Sequence, residues 1–460
     1  MAEETEAEVM VENLVKRSQH AQSILSTFSQ EQVDHICEAI AKAGQEHAQE
    51  LAQAAVKETR RGVVADKVTK NIFASQCIWD SLKDVKTVGV VKRDQAKGLV
   101  SIAEPMGVIA GVTPVTNPTS TVIFKTMIAL KTRNTIVFGF HPQAQKSCVL
   151  AGQIVAKAAM EAGAPKDCVL WIEEPSLAAT TALMHDKGVS LILATGGPSM
   201  VGAAYSSGKP ALGVGPGNGP AYISKSANVT KAVDDIAMSK TFDNGMICAS
   251  ENSIVVDASI YDDVKKELEK HGAYFLSQEQ IPDFSASFID EKRKTVRGIL
   301  AGKSAKEIAL LCSLDVPENT RIIVAELNGV GPDYPLSAEK LSPVLTMYKA
   351  KDEREAFFIC QQLLDYGGRG HTAAIHSEDE SLIVKFAQEM TACRILVNTP
   401  SALGGVGGLY NNLTPSLTLG TGTYGGNAVS HNITATDLLN MKTVAYRSET
   451  GFLKNLAKSK

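Results

Sequence analysis

Gly107-Val-Ile-Ala-Gly-Val112, then Thr113-Pro-Val-Thr-Asn-Pro-Thr-Ser120, then Thr121 to Leu130, then Thr135-Ile-Val-Phe-Gly139 is the stretch that decides the fold. The first and last runs are short, apolar and not alternating, which suits strands buried on both faces. The middle run is a helix. Strand, helix and strand within so short a span form a βαβ crossover, and crossovers of this kind build a parallel sheet with helices on both faces. The pattern continues with a helix over Ala144–Ala162, a strand over Cys168–Ile172 and a helix over Ser176–His185. A strand over Val189–Ala194 and a helix over Ser199–Ser206 follow. Sheets of this build bind ligands at the carboxyl ends of their strands.

Outward from this core the chain repeats the theme. Strands are expected at Ser253–Val256, Thr320–Glu326, Val344–Tyr348, Thr372–His376 and Arg394–Val397. Helices are expected at Ile260–His271, Glu353–Leu364 and Ser381–Met390, making a second α/β unit. Upstream, Val9 to Ala74 reads as helical, and Ser29-Gln-Glu-Gln32 has capping-box spacing for a helix ending near Glu46. Thr87–Lys92 and Gly98–Ala103 read as two β-rich arms about a charged turn, and Asp437–Arg447 as a helix-like then strand-like tail. Gly404–Gly426 is too poor in apolar residues for a core element and reads as a structured loop near a ligand.

With 460 residues, 44% hydrophobic and 21% charged, the chain can bury two or three domain cores. A net charge of −4 without a long basic run argues against nucleic acid or a membrane surface as partner. The acidic start lacks a signal-peptide pattern, so a cytoplasmic protein is expected. Eight cysteines stand without a C-x-x-C pair or a His–Cys cluster, which suits reduced thiols and no metal site.

Cys248, in Thr241-Phe-Asp-Asn-Gly-Met-Ile-Cys-Ala-Ser-Glu251, stands apart from the other seven. It lies in a Gly-containing polar turn just before a strand, where a substrate can reach a thiol and where thiolate is a strong nucleophile for carbonyl carbon. Asn117 projects an amide from the turn after the first strand; such a group either donates to an oxyanion or closes an ordinary Asx-turn. Ala194-Thr-Gly-Gly-Pro-Ser-Met200 follows a strand and opens a helix, with glycines for close approach and free N–H groups that favour phosphate. Gly213-Val-Gly-Pro-Gly-Asn-Gly219 leads into a strand and reads as a close-approach turn.

Together these segments resemble the aldehyde dehydrogenase superfamily, closest to its CoA-acylating branch and to the aldehyde half of bifunctional aldehyde–alcohol dehydrogenases. Further residues that carry the likeness are Glu104-Pro-Met-Gly, Leu130-Lys-Thr-Arg-Asn, Ala204-Tyr-Ser-Ser-Gly-Lys-Pro, Glu339-Lys-Leu-Ser-Pro, Gly370-His-Thr and Ser416-Leu-Thr-Leu-Gly. The resemblance implies an α/β, aldehyde dehydrogenase-like fold: two Rossmann-like parallel-sheet domains plus a β-arm oligomerisation element. It implies a dinucleotide-binding domain over 1–86 and 104–240, a catalytic domain over 241–430, and arm and tail over 87–103 and 431–460. Cys248 is then the nucleophile, Asn117 an oxyanion donor, and Glu339 the holder of the nicotinamide ribose. Thr113, Pro114, His141, Pro142, Thr195, Gly196, Gly197, Met200, Gly215 and Leu341 join Glu339 as cofactor-binding residues.

Hydrolytic relatives carry a water-activating Glu where this chain has Leu212-Gly-Val-Gly-Pro-Gly, without a carboxylate. The expected activity is therefore acyl transfer to CoA, with acetaldehyde as the favoured substrate and NAD as cofactor. NADP stays open because His141-Pro142 stands where relatives have Lys-Pro. An anionic aldehyde paired with Lys240, a hydrolytic enzyme with a relocated base, and a purely structural filament module are the rival readings. His371 is either the base for the CoA thiol or a strand-end histidine. A homo-oligomer (dimer or tetramer), an alcohol dehydrogenase domain or partner, and the lumen of a bacterial microcompartment complete the expectations.

Overall fold

The computed structural model describes residues 2–447. The N-terminal helices are α1 (Ala2–Leu25), α2 (Gln30–Glu46), α3 (Ala48–Thr59) and α4 (Val64–Ile72). α4 runs through one π turn, Phe73–Cys77, into α5 (Ile78–Leu82). The capping box at the start of α2 is present: the Gln32 N–H donates to Ser29 Oγ at 3.4 Å and the Ser29 N–H to Gln32 Oε1 at 2.9 Å.

The arms are β1 (Gly89–Asp94) and β2 (Leu99–Pro105), an antiparallel pair. The dinucleotide-like unit follows as β3 (Val108–Val112), α6 (Pro118–Lys131), β4 (Thr135–Gly139), α7 (Gln145–Glu161), β5 (Val169–Trp171), α8 (Leu177–His185), β6 (Val189–Thr195), α9 (Pro198–Ser206) and β7 (Ala211–Val214). Its five strands are all parallel, in the order β5-β4-β3-β6-β7, so the chain direction across the sheet reverses at β3. Every residue of α6 is buried, which explains why its sequence lacks a polar face. Its two lysines are satisfied internally: Lys125 donates to the carbonyls of Val112 and Leu193 at 2.6 and 2.7 Å, and Lys131 pairs with Asp34.

The second unit comprises β8 (Gly219–Ile223), α10 (Val229–Thr241), β9 (Glu251–Asp257), β10 (Ala273–Phe275), a small hairpin of β11 (Ile289–Asp290) and β12 (Thr295–Val296), β13 (Ile322–Glu326), β14 (Val344–Ala350), β15 (Gly370–His376) and β16 (Ala392–Val397). Seven of these strands form a parallel sheet ordered β10-β13-β14-β9-β8-β15-β16. β17 (Leu439–Ala445) then returns to pair antiparallel with β2, making the arms a three-stranded sheet.

The structure moves one boundary. The expected end of the first unit at residue 240 puts β8 and α10 with the dinucleotide-like sheet, yet β8 pairs with β9 and β15 of the seven-stranded sheet. The crossing is made earlier, by the turn after Val214. β7, folded into a glycine turn in the sequence reading, is a strand; Gly213 lets α9 pack against it, since a Cβ there would meet Val201 Cγ1 at 2.9 Å. The expected tail runs through a 3-10 turn (Ala435–Leu438) and then β17 as far as Ala445, and its part from 448 to 460 lies outside the described residues. Among the described residues no helix is long and apolar enough to cross a membrane.

Candidate active site

A cleft of about 500 Å³ opens at the carboxyl ends of β3, β4 and β6, between the two units. Thr113 and Pro114 enter it from the end of β3, and His141 and Pro142 from beyond β4. Thr195, Gly196, Gly197 and Met200 form the turn from β6 into α9, and Gly215 follows β7. The second unit contributes Cys248, Glu339 and Leu341, and Asn117 lies on the wall between them. Sequence reading missed Phe140, Ser176, Leu177 and Leu417 on the walls. Two of these left a signal: Leu417 stands in the Ser416-Leu-Thr-Leu-Gly motif, and Leu177 is an apolar residue at the first position of a helix, 73% exposed at the rim.

The turn that carries Cys248 is held by a buried ion cluster. α10 ends at Thr241, and Asp243 and Asn244 take left-handed backbone conformations with φ of 47° and 53°. Asp243 holds that strained geometry through its carboxylate, which accepts from Lys67 Nζ at 2.9 Å, Lys70 Nζ at 2.5 Å and the Val63 N–H at 2.8 Å. Behind Cys248, a Cβ on Gly217 would lie 1.9 Å from the Cys248 carbonyl oxygen, so only glycine permits this approach.

The same cluster orients Asn117. It stands at the N-cap of α6 without capping it; its Oδ1 instead accepts from Lys70 Nζ at 2.7 Å. Lys70 also donates to the Met246 carbonyl at 3.0 Å. A cation on Oδ1 assigns that atom as the acceptor and leaves the amide N–H₂ free to donate elsewhere, with Thr116 Oγ1 its partner at 3.2 Å. Burial pulls the Lys70 ammonium down to about 8, against the attraction of Asp243. Lys70→Met therefore lets the amide rotate and loosens the Cys248 turn. We expect a fall in kcat of about tenfold to a hundredfold with little change in substrate KM, measured by steady-state kinetics.

Glu339 Oε1 accepts the Gly217 N–H at 2.9 Å, and burial pushes its carboxyl up to about 7 against that bond and the charges of Lys240 and Lys340. It is the only carboxylate among the described residues lining the cleft. Burial pushes the Cys248 thiol up to about 12; the Glu339 charge adds to this, while Arg394 and Lys70 oppose it. In the free protein the thiol is thus protonated at neutral pH. Its alkylation by iodoacetamide should keep accelerating beyond pH 9, the ordinary thiol value, because the thiolate fraction still grows there. Glu339→Gln should raise the alkylation rate near pH 8 by about threefold.

The aldehyde dehydrogenase family profile matches residues 2–408. The chain belongs to the aldehyde dehydrogenase family. It is 47% identical over 450 residues to the bifunctional aldehyde-alcohol dehydrogenase of Escherichia coli K12, covering 97% of this chain and 50% of that protein. The chain thus spans about half the length of the bifunctional curated relatives it matches. An acetylating aldehyde dehydrogenase from Geobacillus thermoglucosidasius superposes with a TM-score of 0.95 at 46% identity, over 97% of this chain and 98% of that one. A propionaldehyde dehydrogenase of Rhodopseudomonas palustris, solved with bound CoA and an acylated cysteine, superposes with a TM-score of 0.84 at 26% identity, over 95% and 97%.

The cleft fits the dinucleotide that aldehyde dehydrogenases use. Cβ atoms built on Gly197 and Gly215 would meet no protein atom within 4 Å, so the space before both backbones is open for a ligand. α9 starts there with no side chain capping its N–H groups, which suits a pyrophosphate.

Two residues singled out in the sequence lie away from the cleft surface. His371, on β15, is wholly buried behind Gly217, whose Cβ would meet its Cγ at 3.1 Å. Its Nδ1 is 2.9 Å from Thr372 Oγ1, and burial, helped by the Arg394 charge, holds the imidazole neutral well below its usual range. The ring is therefore not among the residues that line the cleft. Lys240 is also fully buried and lines no part of the cleft. Its ammonium, pulled down to about 7 by burial, feels Glu251 and Glu339, so it is not placed to pair with an anionic aldehyde.

Proposed function

We propose that the chain is a CoA-acylating aldehyde dehydrogenase that converts acetaldehyde, CoA and NAD⁺ reversibly to acetyl-CoA, NADH and a proton. The observation that carries this reading is the meeting of Cys248 and Asn117 in one cleft whose only lining carboxylate among the described residues, Glu339, is tied to the Gly217 N–H. Cys248 Sγ releases its proton to solvent and forms the bond to the aldehyde carbon. The resulting oxyanion accepts from the Asn117 amide and the Cys248 backbone N–H. The bound nicotinamide supplies the acceptor for the hydride that leaves that carbon. Cys248 then holds the acyl group as a thioester, with no free carboxylate to activate water against it. The CoA thiol, as thiolate, attacks the acyl carbon and the Cys248 thiolate leaves. One thioester replaces another, so the equilibrium lies close to balance and the reverse direction is accessible.

NADH formation with and without CoA tests the reading. CoA-dependent turnover supports it; equal turnover without CoA means hydrolysis, and Glu339→Gln would then abolish activity by removing the base. We further propose a cytoplasmic or microcompartment-lumen enzyme that assembles as a dimer or tetramer and works beside an alcohol dehydrogenase domain or partner. The arm sheet supports assembly: its outer strand β17 leaves Met441 and Val444 exposed along an unpaired edge.

A further inference from the structure

In sheets of this build the residue beyond the second strand meets the adenosine ribose: an acid there reads a free hydroxyl, and an arginine nearby accepts a ribose phosphate. β4 is that second strand, and His141 follows it on the cleft wall. His141 Nδ1 accepts the Gln143 N–H at 3.1 Å, so its Nε2 carries the proton and is a donor. Arg61 reaches the same point from the loop after α3. It donates through Nη2 to Gln143 Oε1 at 3.0 Å and through Nη1 to the Ala301 carbonyl at 3.4 Å. Among the described residues no carboxylate pairs with Arg61, although it is half-buried. Glu58 lies beside this point but is already engaged: its two oxygens accept the N–H groups of Lys146 and Ser147 at 2.8 and 2.7 Å. The ribose end of the cleft therefore offers an imidazole N–H, with the Arg61 guanidinium held beside it on the Gln143 amide, and its acid is already bound.

We propose that Arg61 and His141 form a ribose-phosphate site that takes the phosphate carried on the adenosine ribose of CoA or of NADP. The inference rests on the acylating reading, in which CoA and the dinucleotide use this cleft in turn. NAD presents free ribose hydroxyls here, whereas CoA presents a 3′-phosphate. Arg61 reaches a phosphate by exchanging the neutral Gln143 amide for a dianion, the stronger, charge-assisted partner. The site thereby lets one cleft grip CoA at a point that NAD leaves unused, so that CoA can follow NADH into the same space.

Calorimetric titration of the free protein with adenosine 5′-monophosphate, adenosine 3′,5′-bisphosphate and adenosine 2′,5′-bisphosphate tests this directly. Wild type should bind the 3′,5′-bisphosphate roughly tenfold more tightly than the monophosphate, and Arg61→Gln should erase that preference. A preference for the 2′,5′-bisphosphate that Arg61→Gln erases would also support the site and assign it to NADP. No preference for either bisphosphate in wild type, or a preference that survives in Arg61→Gln, would overturn it. Arg61→Lys, which keeps the charge but not the fork, should retain part of the preference, and equal monophosphate affinity across the variants shows that the cleft is intact. These probes carry neither thiol nor nicotinamide, so the outcome is separate from whether CoA accelerates turnover. In kinetics, the KM ratio of 3′-dephospho-CoA to CoA should fall toward one in Arg61→Gln.

Discussion

Cys248→Ala is expected to remove CoA-dependent NADH formation, with kcat falling by at least about 10⁴-fold. The side chain carries the only covalent bond the reaction forms with the protein, and neither the Asn117 amide nor bound cofactor replaces that bond. Of the eight cysteines, only Cys248 lines the cleft. The loss should be chemical rather than structural, because the turn is held by Asp243, Lys67 and Lys70 rather than by the thiol. An unchanged thermal melt beside the lost activity would show this. Intact-mass measurement after incubation with acetyl-CoA should find an added acetyl group on wild type and none on Cys248→Ala. Appreciable turnover by the variant would move the nucleophile elsewhere and end the proposed mechanism.

The second large effect is expected at Asn117. Asn117→Ala leaves Lys70 its bonds to Asp243 and Met246 but removes the N–H donor for the oxyanion. A single donor of this kind contributes about 10²–10³ in kcat, and aldehyde KM should change far less because the ground-state carbonyl carries little charge. Asn117→Asp should be at least as damaging, since it sets a carboxylate where negative charge develops. The smaller fall in kcat expected for Lys70→Met, with no further fall when it is added to Asn117→Ala, would show that Lys70 acts through the Asn117 amide.

How much of this was legible beforehand differs by element. Most strands of both sheets were readable because a parallel sheet buried on both faces leaves continuous apolar runs, as at Thr135–Gly139. Ser29 announced its helix because a capping box is local chemistry. β7 was hidden because Gly213 answers to the side chains of Val201 and Tyr205, which pack against it from α9. Lys67, Lys70 and Asp243 were also out of reach. They stand more than 170 positions apart across the cluster and form one ion network only when α4 lies against the turn after α10. Arg61 was invisible for the same reason, since its partners come from two separate loops.

By itself the sequence determined the α/β architecture, the family, and many of the residues on the cleft wall, because these are written in local periodicity and short contiguous motifs. Only the tertiary structure decided where the chain crosses between sheets, and that Lys70 holds the Asn117 amide by its oxygen. It alone showed that His371 and Lys240 are wholly buried and do not line the cleft. These last features depend on burial and on charges brought together from distant segments, and neither quantity exists until the chain has folded.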